Sequence, residues 1–212
     1  MARDLDFSLT MQDLETLLVP FLSKPLSLDQ LDKLGTYLDL LIRWNAKISL
    51  TSIRDPEDIV SRHFGESLFA GQQLGLEHSE TLTDLGSGAG FPGLPMALLH
   101  SSIRVTLIES QQKKVAFLRE VIRALALANA SVYAGRAEDS ALKSQIVTMR
   151  AVETFQSSLP IAASLLAPGG KLALLIGISQ AEVAKREFCK IEWQQPIPIP
   201  QSRSRVLLIG QN

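Results

Sequence analysis

The sequence has few cysteines, few histidines and no long apolar run, and each shortage excludes a class of protein. Cys189 is the only cysteine in 212 residues, so neither an internal disulfide nor a thiolate metal site can form. His63, His78 and His100 are scattered along the chain and lack the spacing of metal ligands. The longest apolar stretch, residues 172–178, is much shorter than the roughly 20 residues that cross a bilayer. We therefore expect no disulfide scaffold, no metal centre and no membrane protein.

Neither sign of charge dominates. Lys and Arg number 21 against 22 Asp and Glu, which gives a net charge of −1. A nucleic-acid contact would therefore have to rest on a local basic face. The first residues lack the basic-then-apolar order of a signal peptide, so we expect a cytoplasmic protein. An apolar content of 46% is enough for one domain with a buried core.

The N-terminal part of the chain, residues 1–78, predicts helices that form an extension packed on a core. Apolar residues recur at helical spacing over residues 11–22. Ser27 and Gln30 form the pattern of a capping box, which begins a second helix with one apolar face reaching Trp44. The run Asp55-Pro56-Glu57 is typical of a third helix start, and that helix should end near Gly71 or Gly75.

Over residues 79–212 the pattern changes to short apolar runs that alternate with helical stretches, of which Gln112–Ala128 is the clearest. The alternation predicts an α/β fold with a doubly wound, mostly parallel, seven-stranded sheet. The Pro-rich segment 196–200 cannot be a central strand and should be an extended link, so the last strands should form an antiparallel hairpin at one edge. The predicted strands are Thr81–Leu85, Arg104–Glu109, Ser131–Ala134, Ile146–Met149, Lys171–Ile176 and Arg205–Ile209, with 188–194 as a candidate seventh.

A glycine-rich turn follows the first predicted strand. It reads Asp84-Leu-Gly-Ser-Gly-Ala-Gly-Phe-Pro-Gly93. Ligands of open α/β sheets bind beside this first strand–helix turn, and the bare backbone at Gly86 and Gly88 lets a ligand come close. Glu109 ends the second strand, where a carboxylate can accept hydrogen bonds from both ribose hydroxyls of an adenosine. The turn therefore predicts an adenosine-containing cofactor.

Two cofactors fit such a turn. Read from Gly88, it matches the G-x-G-x-x-G dinucleotide pattern, with Glu109 at a suitable distance for NAD. However, the first glycine should directly follow the strand, and that glycine is Gly86. Counted from Gly86, Phe91 stands where the third dinucleotide glycine should be. The acid Asp84 also favours a ligand with an ammonium group nearby, so the residues favour S-adenosylmethionine and methyl transfer over a dehydrogenase.

Several blocks of the sequence also resemble one known family, the RsmG or GidB family of bacterial 16S (small-subunit) ribosomal RNA guanine-N7 methyltransferases. The resemblance runs from about Leu28 to the end of the chain, and Gly90-Phe-Pro-Gly93 is its most specific part. The other matching blocks are Arg43-Trp-Asn45, Leu50-Thr-Ser52, Arg62-His63 with Glu66-Ser-Leu68, Glu109-Ser110 with Lys113-Lys-Val115 and Phe117-Leu118, Arg136-Ala-Glu138, and Thr148-Met-Arg-Ala151.

The resemblance implies a Rossmann-like, S-adenosylmethionine-dependent methyltransferase and assigns roles to particular residues. Gly86 and Phe91 would line the cofactor pocket. Ala137 and Glu138 would lie beside the adenine, and Arg150 would close the pocket and could meet the RNA. Glu109 is assigned to the ribose from its chemistry. Further RNA contacts are expected from four cations in the predicted helix 112–128 or near the last strand, namely Lys113, Lys114, Arg203 and Arg205.

The implied substrate is 16S ribosomal RNA, free or in a small-subunit particle, and the expected state is a monomer. Guanine N7 has a free lone pair and needs no catalytic base, so we assign no catalytic residue. Two positions where the family usually has lysine are Ile176 and Gly210 here, which predicts a less basic RNA face. Two alternatives stay open, a methyltransferase that acts on another substrate and a catalytically weakened RNA-binding member of the family.

Overall fold

The computed structural model describes residues 9–76, 80–150 and 155–212. The described part of the N-terminal extension contains four helices and a 3₁₀ turn. Both of its first two helices begin with a reciprocal capping box, at Thr10 with Asp13 and at Ser27 with Gln30. In each box the side chain of the first residue accepts a hydrogen bond from a backbone N–H of the helix. The side chain of the second residue accepts a hydrogen bond from the backbone N–H of the first residue. The helices are α1 (Met11–Leu18), α2 (Leu28–Asn45), α3 (Pro56–Ile59) and α4 (Glu66–Gln73), with a 3₁₀ turn at Val19–Phe21.

The third predicted helix is interrupted in the middle. Between α3 and α4 the residues Val60–Gly65 form a π-helical turn, which inserts an extra residue into the helical repeat and is frequent at functional sites. Gly65 ends this turn against the ring of Phe21. A Cβ atom at Gly65 would lie 2.6 Å from that ring, so the close contact with the 3₁₀ turn requires glycine.

All strands of the described residues belong to one sheet. In the spatial order β3-β2-β1-β4-β5-β8-β6, the first five strands are parallel, and β8 pairs with β5 in the antiparallel direction. This order differs from the dinucleotide-binding order 3-2-1-4-5-6, because an antiparallel last strand is inserted beside β5. The strands are β1 (Thr81–Leu85), β2 (Arg104–Glu109), β3 (Ala130–Ala134), β4 (Ser144–Arg150), β5 (Leu166–Gly177), β6 (Glu192–Trp193), β7 (Ile197–Pro198) and β8 (Arg205–Gln211).

The outer edge of the sheet is a broken strand. Because β5 occupies one edge of β8, the short strands β6 and β7 must both pair with the other edge, so the eight strands fill seven positions in the sheet. The antiparallel edge was predicted, but only residues 192–193 of the candidate strand 188–194 are in the sheet. The Pro-rich segment contributes Ile197–Pro198, an edge position that tolerates a residue without N–H.

Helices cover both faces of the sheet. The helices of the second half are α5 (Gly93–Leu99), α6 (Gln112–Ala124), α7 (Phe155–Ser164) and α8 (Ile178–Glu187). One hydrophobic cluster joins α5, α6 and the N-terminal helices to the sheet, and a second cluster joins α7 and α8 to its other face. The extension therefore shares its core with the sheet. The predicted boundary at residue 78 lies outside the described residues.

Two general searches complete the description of the fold. Among the helices of the described ranges, none combines the length and the apolar character that a membrane span requires. Within the same ranges, no three His, Cys, Asp or Glu side chains lie together where they could bind a metal ion.

Candidate cofactor and substrate site

The glycine-rich turn lies at the point where the strand order of the sheet reverses. Strand β1 ends at Leu85 and Gly86 follows directly, as the strand register predicted. Strand β1 has β2 on one side and β4 on the other. The later strands are therefore added in opposite directions from β1. A ligand crevice forms at such a switch point beyond the carboxyl ends of the strands.

The glycines of the turn divide into two pairs. Gly86 (φ 68°) and Gly88 (φ 59°) have left-handed backbone conformations, and they are exposed and half-buried respectively. A Cβ atom at Gly88 would come no closer to another group than 3.8 Å, to the Gly86 carbonyl. In contrast, Cβ atoms at Gly90 and Gly93 would both lie 2.4 Å from neighbours, the Tyr37 hydroxyl and a Leu107 methyl group. The first pair is thus open to a ligand, and the second pair permits close packing.

Glu109 at the end of β2 is joined to the turn. Its carboxylate accepts the Gly88 N–H at 3.0 Å and the Gln111 N–H at 2.8 Å, and the residue is only 6% exposed. A carboxylate has about four acceptor positions, so two remain for further donors such as a pair of ribose hydroxyls. The residue therefore fits the cofactor role that its chemistry suggested.

Asp84 lies beneath the turn, and its carboxylate accepts hydrogen bonds from other residues of the protein. Its carboxylate accepts the Thr148 hydroxyl at 2.8 Å and the Gly93 N–H at 3.1 Å, which connects β1 to β4 and to the start of α5. Burial raises the pKa of Asp84 to about 6. The residue is only 1% exposed, and its contact with a cofactor ammonium group stays a prediction.

The Phe91 ring joins the turn to the N-terminal extension. The Tyr37 and His63 rings stack against it at centroid distances of 5.4 and 4.8 Å, and Phe64 meets it edge-on at 5.2 Å. The Tyr37 hydroxyl donates to the Ala89 carbonyl, and burial raises the pKa of Tyr37 well above its usual value, so the donor keeps its proton. The resemblance implied that Phe91 lines the cofactor pocket. Residues of the extension pack around its ring, Arg150 lies 5.9 Å from the ring centroid, and the cofactor role of Phe91 stays a prediction.

A buried ion cluster connects the extension to the ends of β4 and β8. The Glu66 carboxylate lies 2.8 Å from the Arg205 guanidinium and 3.3 Å from that of Arg150. Arg150 also donates to the Arg62 carbonyl in the π-helical turn at 2.6 Å. Burial lowers the pKa of Arg150 to about 10, which still leaves it charged at neutral pH. Since Arg150 is 7% exposed, it could contact RNA only by leaving Glu66.

His63 completes this cluster as a neutral ring. Its Nε2 atom lies 2.7 Å from the Thr51 hydroxyl. Burial and the neighbouring Arg150, Arg205 and Arg62 lower its pKa to about 2. Within the described residues, His63 Nδ1 and Arg150 Nε are buried without a hydrogen-bond partner. Glu66 Oε2, which also has no hydrogen bond of acceptable geometry, makes both ion pairs.

The remaining predicted residues lie at the same edge of the sheet, with differing exposure. The Gly135 N–H donates to the Glu109 carbonyl at 3.1 Å, which holds the loop after β3 beside β2. On that loop Ala137 is buried, whereas Glu138 is exposed and lies 3.8 Å from Arg136. Lys113 and Lys114 are in the first turn of α6, exposed and half-buried, and Arg203 is exposed before β8.

Three contributors to the site were not predicted from the residues. They are Tyr37, which binds the turn, Thr51, which holds His63, and Glu66, which pairs with two arginines. Thr51 and Glu66 belong to blocks that carried the family resemblance, and this was the available signal. Tyr37 had no signal beyond its place on the apolar face of α2.

The sheet order and the open glycine turn define the class of fold, a Rossmann-like α/β sheet. Solved structures with this fold include P. horikoshii TYW2 in complex with MeSAdo (TM-score 0.59, 19% identity, 78% of this chain and 65% of that chain). A SAM-dependent methyltransferase from Aquifex aeolicus matches with TM-score 0.57 and 16% identity over 74% of this chain and 93% of that chain. At these identities the likeness concerns the fold alone.

Sequence comparison identifies the family. The family model GidB, rRNA small subunit methyltransferase G, matches residues 30–202, and the chain belongs to this family. The ribosomal RNA small subunit methyltransferase G of Xanthomonas campestris pv. campestris (strain B100) is 42% identical over 148 residues, 69% of this chain and 68% of the relative. The protein of that name from Stenotrophomonas maltophilia (strain K279a) is 44% identical over 144 residues, 67% of this chain and 66% of the relative.

Proposed function

We propose that this protein transfers a methyl group from S-adenosylmethionine to N7 of a guanosine in 16S ribosomal RNA. The observation that carries the proposal is the family match over residues 30–202, which contains the whole glycine turn, Glu109, Glu66 and Arg150. The relatives at 42–44% identity are named as methyltransferases of the small-subunit ribosomal RNA.

The proposed cofactor site is the crevice beyond β1 and β2. Gly86 and Gly88 fit a ligand that lies against bare backbone, because neither has a side chain and the space beside Gly88 is open. Glu109 would accept the ribose hydroxyls with its two remaining acceptor positions. Ala137 and Glu138 would flank the adenine from the loop after β3. Phe91 would line the cofactor pocket and Arg150 would close it, as the family resemblance implies, and Asp84 would favour the ammonium group of the cofactor.

The reaction requires the protein to position the reacting atoms and does not require it to transfer a proton. When bound, S-adenosylmethionine supplies a methyl group on a positively charged sulfur. Guanine N7 has an in-plane lone pair and no proton to lose, so no general base is needed. His63 has a pKa of about 2 and is a poor proton acceptor, which agrees with this. Holding the reacting atoms in line can contribute roughly 7–11 kcal/mol.

The proposed RNA contacts are Lys113, Lys114, Arg203, Arg205 and Arg150, with the small-subunit RNA or particle as partner and a monomeric protein. Lys113 and Arg203 are exposed and are free for this role, whereas Arg205 and Arg150 are paired with Glu66. The position of the first missing family lysine, Ile176, is 4% exposed within the apolar cluster of β5. At the position of the second missing lysine, Gly210, a Cβ atom would lie 2.5 Å from the Trp193 ring.

The decisive experiment maps N7-methylguanosine in 16S RNA from cells with and without the gene. Reduction followed by aniline treatment cleaves RNA at this nucleotide, and we expect one cleavage site to disappear when the gene is deleted. Purified protein with labelled S-adenosylmethionine should restore the site in RNA or small-subunit particles from the deletion strain. An unchanged cleavage map in the deletion strain would overturn the RNA substrate.

A further inference from the structure

A basic groove lies between the last turns of α2 and the first half of α6. Its volume is about 410 Å³, and besides the apolar Leu40 and Ile48 its lining consists of Arg43, Lys47, Lys113, Trp44 and Glu120. Lys113 lies in the first turn of α6, four residues after Glu109 at the end of β2, so the groove adjoins the edge of the sheet where the cofactor residues lie. We use the name basic groove for the surface formed by these five residues.

The charge of the basic groove is unbalanced. Three cations face one acid, and within the described residues none of the three cations is in an ion pair. Arg43 uses only its Nε atom, which donates to the Asp39 carbonyl at 3.3 Å, so its two terminal nitrogens are free. Lys47 and Lys113 are exposed. The groove is therefore suited to an anionic ligand with charges spaced along it.

Trp44 gives the groove a fixed aromatic surface. Its indole N–H donates to the Glu120 carboxylate at 3.0 Å, and its ring packs edge-on against Phe117 at a centroid distance of 5.7 Å. The one acid of the groove is thus used to hold the tryptophan. The ring remains half-buried and lines the groove. Aromatic rings beside cations are the arrangement by which proteins bind unpaired nucleic-acid strands, with bases stacked on the rings.

We propose that the basic groove binds an unpaired segment of the substrate RNA, with phosphates on Arg43, Lys47 and Lys113 and a base stacked on Trp44. This inference rests on the proposed function, because it names where the RNA lies beside the cofactor edge. The aromatic ring favours RNA over an acidic peptide, which would need the cations alone. The groove also gives a local basic face to a chain whose net charge is −1.

The test compares two triple variants with the same change in charge. The groove variant is Arg43→Ala, Lys47→Ala, Lys113→Ala. The control variant is Arg104→Ala, Arg186→Ala, Lys190→Ala, three exposed cations outside the groove. RNA affinity is measured over a series of salt concentrations, together with cofactor affinity and melting temperature. Each lost contact with a single strand lowers the salt slope by about 0.7, so we expect the groove variant to lose about 2 and the control to lose none.

A second measurement reports on Trp44 directly. In a Trp193→Phe background Trp44 is the only tryptophan, and its fluorescence should be quenched by RNA but not by polyglutamate. Equal salt slopes for both triple variants, in a wild type that methylates RNA, would overturn the groove and leave the proposed function intact. Quenching by polyglutamate as strong as by RNA would also overturn it in favour of an acidic protein partner. A wild type that neither binds nor methylates RNA would overturn both proposals.

Discussion

At the scale of single residues, the glycine turn answers two separate demands. Gly90 and Gly93 are needed because Tyr37 and Leu107 leave no room for a side chain. Gly86 is exposed and the space beside Gly88 is open, although Gly86, Gly88 and Gly90 all have left-handed φ angles. The strand register placed the first glycine correctly at Gly86. The packing role of the later pair could not be read from local sequence, because Tyr37 comes from a distant helix. Only the first pair should therefore govern ligand affinity.

Replacing Gly86 tests this division. Gly86→Leu should weaken S-adenosylmethionine binding, measured by calorimetry, by more than tenfold or about 1.4 kcal/mol, because a side chain would enter the crevice. Gly169→Leu is the matched control, since Gly169 has a similar φ of 72° and open space around it. Both variants should lose about 1–2 kcal/mol of stability from backbone strain. Equal cofactor affinity in the two variants would contradict the placement of the crevice.

Asp84 should give the protein an unusual acid dependence. Its pKa is about 6 instead of 3.8, so between pH 4 and 6 the folded chain holds a proton that the unfolded chain has released. Stability from this group is full below pH 4 and is lost as the pH rises through 6. The free energy of unfolding of wild type minus that of Asp84→Asn should fall by about 1 kcal/mol per pH unit in this window.

The measurement for Asp84 is urea unfolding at several pH values. The loss of a hydrogen-bond acceptor in Asp84→Asn costs the same free energy at every pH, so it does not change the slope of the difference against pH. His63 gives a control of opposite sign. Its pKa falls from 6.5 to about 2, so its contribution is present above pH 6.5 and is lost as the pH falls. The free energy of unfolding of wild type minus that of His63→Gln should therefore rise with pH in the same window. A flat difference for Asp84→Asn would mean that the carboxyl is not buried as described.

At the scale of elements, the π-helical turn Val60–Gly65 and the two strand ends depend on each other. The turn directs the Arg62 carbonyl to Arg150 and places Glu66 between β4 and β8. A buried ion pair contributes little net stability, but the loss of one partner leaves the other charge uncompensated. Glu66 therefore connects three elements whose mutual position sets the carboxyl edge of the sheet.

Glu66→Gln should lower the free energy of unfolding by about 3 kcal/mol, because Arg150 and Arg205 lose their common partner. The control is Glu182→Gln, which removes an exposed acid 4.0 Å from Lys185 and should change stability by less than about 0.5 kcal/mol. Denaturant unfolding at neutral pH measures both. A Glu66 variant as stable as the control would show that the two arginines do not depend on this carboxylate.

The elements also show how far the sequence could be interpreted. Strands β1 and β2 have the predicted bounds, because an apolar run ended by an acid or a glycine marks a strand locally. The π-helical turn was missed, since apolar residues continue on both sides of it and hide the extra residue. The contact of Glu66 with Arg205 was missed for another reason. It joins distant parts of the chain, and side-chain spacing carries no information on such pairs.

At the scale of the whole molecule, the extension and the sheet have one continuous core on their shared face. The cluster that contains Leu14 and Tyr37 of the extension also contains Leu107 and Phe117 of the second half. Docking is further directed by the stacking of Tyr37 and His63 on Phe91. Since the buried residues of the N-terminal helices belong to the same cluster as those of the sheet, we expect these helices to lose their structure together with the sheet.

The two tryptophans make this expectation measurable, because Trp44 is in the extension and Trp193 is in the outer edge strand. In Trp193→Phe the fluorescence reports on the extension, and in Trp44→Phe it reports on the far edge of the sheet. If one core holds the chain together, each variant should show coincident urea transitions by fluorescence and by far-UV circular dichroism, as a two-state molecule does. An extension signal that changes at lower urea than the dichroism would show a separately folding N-terminal unit. In that case the Phe91 contacts would join two domains, and the cofactor edge would not depend on the extension for its shape.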